Sequence, residues 1–131
     1  LVRQQALPWF PQSGYDRLLW ASDLNFVRGE DSFVRAQWAR KPFVWHIYPQ
    51  DDGVHATKLD AFLARYLGAA PPTLAGPVRA WMHAWNGLAG ALPMALPSLP
   101  DWTAHARCWR DALLAQTDLV GQLLAFVAEK R

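Results

Sequence analysis

The stretch Pro42-Phe43-Val44-Trp45-His46-Ile47 constrains this chain most. It is apolar almost without alternation, which predicts a short strand covered on both faces. Such a strand needs helices packed on both sides of it. Upstream, Gln5-Ala6-Leu7-Pro8-Trp9-Phe10 and Leu24-Asn25-Phe26-Val27 read as two further short strands, the first weakened by Pro8 if it is central. Between them Pro11-Gln12-Ser13-Gly14 makes a turn, and Ser13 with Asp16 matches a capping box. A short helix is expected from about Gly14 to Ala21, with Tyr15, Leu18 and Leu19 inward. After Arg28-Gly29 a second helix begins near Glu30, Asp31 and Ser32, with Phe33, Val34 and Trp38 inward. Pro42 ends it by Arg40-Lys41. Each link between strands exceeds about a dozen residues, as a parallel crossover requires. The expected class is α/β with a parallel sheet.

The second half predicts helices. Asp51-Asp52-Gly53 leads into one carrying Leu59, Phe62, Leu63, Tyr66 and Leu67 at helical spacing, closed by Gly68 and Pro71-Pro72. Pro77 suits the first position of the next, with Val78, Trp81, Met82, Trp85 and Leu88 in one stripe. After a Pro-rich loop to Pro100, Asp101 is expected to cap one long final helix through Trp102, Ala106, Trp109, Leu113, Val120, Leu123 and Val127, with Gly121 inside it. Three short strands are few for a parallel sheet, and the first begins almost at Leu1. The expectation is the C-terminal part of a longer fold.

Composition narrows the chemistry. Hydrophobic residues make up 52% of the 131, enough to build a core. The formal charge is only +2, far from the basic stripe that a phosphate backbone needs, so nucleic acid is not an expected partner. Gly87 to Pro100 is too short to span a bilayer and is broken by Pro93 and Pro97, so no membrane is expected. No signal-peptide pattern is visible. The single Cys108, expected to be buried, excludes an internal disulfide in this sequence and fits a reducing compartment. His46, His55, His83 and His105 lack zinc-site spacing, so no metal is expected. The sequence holds no nucleophile elbow, P-loop or GxGxxG, which argues against a serine hydrolase, a P-loop NTPase or an ordinary NAD enzyme.

Ligands of open parallel sheets bind beyond the carboxyl ends of the strands. Three segments lie there: Pro8 to Tyr15, Arg28 to Ser32, and His46 to Asp52. In Arg28-Gly29-Glu30-Asp31-Ser32, Gly29 permits a tight turn, and helix N–H groups with Arg28 and Ser32 suit an anion. The same residues also read as an acidic first turn that caps its own helix, neutralised by Arg28. Trp9, Phe10, Gln12 and Tyr15 combine aromatic faces with an amide, which suits a planar base; plain core packing and a turn are the other reading. Tyr48 offers a phenol to phosphate or sits in a surface turn. His46 is either a titrating group or a packed histidine, and the tryptophan stripes read as helix packing.

The unbroken run from Leu18 to Trp38, LLWASDLNFVRGEDSFVRAQW, resembles the bacterial protein-arginine rhamnosyltransferases that modify elongation factor P. So do Lys41 to Gln50, KPFVWHIYPQ, and Pro11-Gln12 with Tyr15-Asp16. Asp118-Leu119-Val120 with Leu123, Leu124 and Phe126 resembles the family's closing helix. The resemblance implies a GT-B glycosyltransferase, with residues 1–131 as part of a Rossmann-like, C-terminal nucleotide-sugar-binding domain, incomplete at its N-terminus and helical in its C-terminal half, without the N-terminal acceptor domain. It implies transfer of rhamnose from dTDP-β-L-rhamnose to an arginine of elongation factor P, with inversion, in the cytoplasm, without metal or cofactor. Trp9, where the family usually has phenylalanine, and Tyr15 would flank the thymine, with Gln12 hydrogen-bonded to it. Arg28, Asp31, Ser32 and Tyr48 would hold the diphosphate and nearby sugar, and Glu30 matches the family's functionally important glutamate. The acidic residues near the acceptor arginine lie outside this sequence. A different class of function, a non-catalytic helical interaction module with a vestigial sheet, is the alternative.

Overall fold

The computed structural model describes residues 2–130. In chain order it contains α1 (Gln12–Ala21), β1 (Asn25–Arg28), α2 (Gly29–Trp38), β2 (Phe43–His46), α3 (Val54–Tyr66), α4 (Pro72–Trp85), α5 (Leu99–Leu114) and α6 (Leu119–Glu129). β1 and β2 pair in parallel, with Asn25 opposite Phe43 and Arg28 opposite His46, and α2 is the crossover between them. The α/β class with a parallel sheet is what the sequence predicts.

The expected first strand is absent. Residues 2–11 run without regular structure and are mostly exposed. Pro8 and Pro11 have no N–H to give a ladder. The free edge of β2 is covered by α4 in place of a third strand. The Trp45 N–H donates to Met82 Sδ at 3.3 Å, the Ile47 N–H to Asn86 Oδ1 at 2.9 Å, and Asn86 Nδ2 to the Trp45 carbonyl at 2.8 Å. Met82 of α4 and Asn86, its C-cap residue, thus satisfy backbone groups that an edge strand would otherwise expose.

The core follows the apolar run of β2. Phe43 and Trp45 are two residues apart and so share a face. There Trp45 stacks on Phe33 of α2 at 3.9 Å between ring centroids, and Phe62 of α3 meets both β2 rings at about 6 Å. Leu59, Leu63 and Tyr66 of α3 are buried with them, as their spacing predicts. Trp102 of α5 is fully buried and donates through Nε1 to the Tyr66 hydroxyl at 3.0 Å. Burial is the main cause that pushes the Tyr66 phenol above its ordinary pKa, and the Trp102 hydrogen bond opposes it.

Several local expectations are corrected. The α1 N-cap is Pro11 and makes no side-chain cap; Asp16, the other half of the expected capping box, pairs with Arg35 instead. Val34 and Trp38 of α2 are not turned into the core but are about half-exposed. The helix expected to begin at Pro77 begins at Pro72, and Pro77 lies within its second turn. Ser98, not Asp101, caps α5, its hydroxyl accepting from the Asp101 N–H. The long final helix is two helices: Asp118 caps α6 by accepting from the Gly121 N–H at 2.9 Å, which breaks the run. Cys108 is exposed. Among the described residues no single helix is long and apolar enough to cross a membrane.

Candidate functional site

Both strands end on the same side of the sheet, β1 at Arg28 and β2 at His46. The turn Arg28-Gly29 passes directly into α2. Gly29 has φ +76, the left-handed region that glycine enters without a Cβ penalty. A Cβ on Gly29 would lie 2.8 Å from Tyr48 Cε2, so the bare backbone is what lets the Tyr48 ring settle against the turn. Arg28 lies over the other part of this assembly, its guanidinium carbon 5.0 Å from the Tyr48 ring centroid. Two residues from different strand ends are thereby joined.

The turn does not cap itself. Arg28 is the N-cap of α2 and makes no side-chain hydrogen bond to the helix. Glu30 and Asp31 lie in the first turn, where the helix dipole favours negative charge, and both are exposed. Asp31 accepts from Arg35 Nε at 3.2 Å, one helical turn on. The first N–H groups of α2 are therefore left without a side-chain acceptor among the described residues, at the end of the helix where the dipole favours negative charge.

Beside this turn lies a cavity of about 460 Å³ lined by Leu7, Pro8, Trp9, Phe10, Gln12, Tyr15, Leu18 and Ser32. It brings together five residues singled out from the sequence: Trp9, Phe10, Gln12, Tyr15 and Ser32. Gln12 and Tyr15 are three apart on α1 and so share a helix face. Ser32 comes from α2. Trp9 comes from the irregular segment and is 88% exposed. The two helical walls are fastened by Arg35, whose Nη1 donates to both Asp16 oxygens, at 2.9 and 3.0 Å. That pairing, led by the Asp16 hydrogen bond, raises the Arg35 pKa further. Arg28, Glu30, Asp31 and Tyr48 do not line the cavity. They stand at the adjoining turn and strand end.

The sequence reading missed three supporting residues. Arg35 fastens α1 to α2, Asn86 clips the end of β2, and Trp45 Nε1 donates to the Gly29 carbonyl at 3.1 Å. These are contacts between elements, and only the buried position of Trp45 had a local signal. His46 is half-buried at the end of β2 and makes no side-chain hydrogen bond among the described residues. Among those residues no group of three metal-ligating side chains converges.

Residues 1–128 match the family model described as elongation factor P rhamnosyltransferase EarP. The chain belongs to this family. It is 48% identical over 131 residues to a protein-arginine rhamnosyltransferase of Pseudomonas aeruginosa, covering 98% of the chain and 35% of that relative. A protein-arginine rhamnosyltransferase of Neisseria meningitidis is 40% identical over 138 residues, covering 98% of the chain and 36% of the relative. A solved structure described as the structural basis for EarP-mediated arginine glycosylation of translation elongation factor EF-P superposes with TM-score 0.73 at 37% identity, over 97% of this chain and 41% of that one. The chain thus spans about a third of the length of the curated relatives it matches.

Proposed function

We propose that this chain is the donor-binding part of a GT-B protein-arginine rhamnosyltransferase that modifies elongation factor P. The observation that carries the reading is the uncapped N-terminus of α2, flanked by Arg28 and Tyr48 and opening beside the cavity that holds Trp9, Gln12, Tyr15 and Ser32. An anion site next to an aromatic, amide-bearing cavity suits a nucleoside diphosphate. In this reading Trp9 and Tyr15 flank the thymine of dTDP-β-L-rhamnose and Gln12 hydrogen-bonds its edge. Arg28, Asp31, Ser32 and Tyr48 hold the diphosphate and nearby sugar. Asp31 is an acceptor only, so its place is at a sugar hydroxyl or in holding Arg35, not at phosphate. Glu30, exposed beside the turn, faces the reacting sugar.

The chemistry follows from that placement. A guanidino nitrogen of the acceptor arginine attacks the anomeric carbon as the bond to the diphosphate oxygen breaks. The electron pair leaves with dTDP, the nitrogen loses a proton, and inversion converts the β linkage to α. Charge develops on the departing diphosphate, and preorganised N–H groups with Arg28 stabilise it. No metal or cofactor enters this reading, and the cytoplasm is its setting. The groups that activate the guanidinium belong to parts of the full-length enzyme outside this chain.

The test is transfer by the full-length enzyme to purified elongation factor P, read by intact mass, with the product anomer assigned by NMR. The expected result is one rhamnose in α linkage, abolished by Glu30→Gln. A full-length protein that binds elongation factor P but transfers no sugar would favour the alternative, a non-catalytic interaction module.

A further inference from the structure

We infer that Trp45 is a positioning residue for the donor diphosphate, acting through the Gly29 carbonyl; the inference rests on the proposed placement of that diphosphate at α2. Its indole N–H donates to the Gly29 oxygen at 3.1 Å inside the protein. A peptide group is planar and trans, so the Gly29 C=O and the Glu30 N–H point in opposite directions. Holding the carbonyl toward the core therefore aims the Glu30 N–H away from it, toward the place where the anion sits. Gly29 is the one position in this turn at positive φ, where the peptide has most freedom to rotate. Gly29 is also the first residue of α2, so its carbonyl takes part in the helix ladder, and the indole adds a second hold on the same oxygen.

Trp45 is itself held from three sides. Its ring stacks on Phe33 at 3.9 Å and meets Phe62 edge-on at 5.9 Å. Its backbone N–H donates to Met82 Sδ, and its carbonyl accepts from Asn86 Nδ2. From the outer side of the turn, the Tyr48 ring closes on Gly29, so that the glycine is fixed between a donor within and a ring without. The chain thus spends a buried tryptophan on the orientation of one peptide group.

The test uses the full-length enzyme and four proteins: wild type, Trp45→Phe, Phe62→Leu and Arg28→Ala. Trp45→Phe keeps an aromatic ring against Phe33 and removes the donor. Phe62→Leu disturbs the same aromatic cluster without touching Gly29. Calorimetric titration with dTDP and dTMP, together with the KM for the sugar donor and for elongation factor P, gives the readout. Trp45→Phe is expected to weaken dTDP about tenfold, as for one lost hydrogen bond, and dTMP less. Donor KM should rise while acceptor KM holds, and Phe62→Leu should lower the thermal midpoint without changing the dTDP to dTMP ratio. If Arg28→Ala weakens dTDP and Trp45→Phe does not, the positioning role is overturned and the donor site stands. If neither weakens it, the donor-site reading itself fails. Equal losses in Trp45→Phe and Phe62→Leu also overturn the inference, because packing alone then explains both. Should Trp45→Phe not fold, replacing Trp45 with 3-benzothienylalanine removes the N–H at nearly constant shape and carries the same expectations.

Discussion

Gly29→Ala perturbs the site at its narrowest point. Alanine at φ +76 costs about 1–2 kcal/mol in left-handed backbone strain. Its Cβ would also lie 2.8 Å from Tyr48 Cε2 and 3.1 Å from the hydroxyl oxygen. Forced overpacking of this kind costs about 1–3 kcal/mol in a closed core. Tyr48 is half-exposed and can swing outward, so the lower end applies here, about 1 kcal/mol. Restricting the unfolded chain returns about 0.4–1 kcal/mol. The net loss is about 1–3 kcal/mol, and the displaced Tyr48 leaves Arg28 without its ring. Denaturant unfolding of the full-length enzyme, followed by tryptophan fluorescence, measures the first effect, and dTDP titration the second. A double-mutant cycle with Tyr48→Ala separates the terms: the strain persists without the ring, and the contact penalty does not. An unchanged midpoint with unchanged dTDP affinity would refute the reasoning. A penalty of the same size with and without Tyr48 would refute the contact half of it.

Two further outcomes follow from the fold. Asn86→Ala strips partners from the Ile47 N–H and the Trp45 carbonyl at the end of β2, and should lower stability by about 1–3 kcal/mol while raising donor KM, read by unfolding midpoints and steady-state kinetics. An unaltered midpoint would mean that water replaces Asn86 freely. The buried Tyr66 phenol has a raised pKa, so the folded state holds its proton more tightly than the unfolded state does. Its contribution is complete below the unfolded value of 10.0 and declines as pH rises above it, by up to about 1.4 kcal/mol per pH unit. Tyr66→Phe should flatten that alkaline fall in stability between about pH 10 and 11; parallel wild-type and variant curves would contradict it.

What the sequence disclosed depended on whether the signal was local. The unalternating run of β2 and the 3.6-residue spacing of Leu59, Leu63 and Tyr66 were legible because burial writes itself into periodicity. The Arg28 to Ser32 turn was legible as a glycine before an acidic helix start, but that the N-cap makes no side-chain hydrogen bond was not, because a capping contact depends on side-chain geometry. Pro77 misled because a proline within the second turn of α4 is compatible with a helix that has already begun at Pro72. The missing first strand misled because an apolar segment with proline reads alike whether or not a neighbour pairs with it. Arg35, Asn86 and Trp45 support the site through partners 16 to 41 residues away, a distance at which no local pattern operates.

The central claim is that the α2 turn and the adjoining cavity hold the nucleotide diphosphate of the donor. Calorimetric titration of the full-length enzyme with dTDP, with UDP as comparison, tests it in wild type, Arg28→Ala and Ser32→Ala. The account predicts saturable binding that prefers dTDP and is weakened by about 1–3 kcal/mol in each variant. Undiminished dTDP affinity in both variants would contradict it.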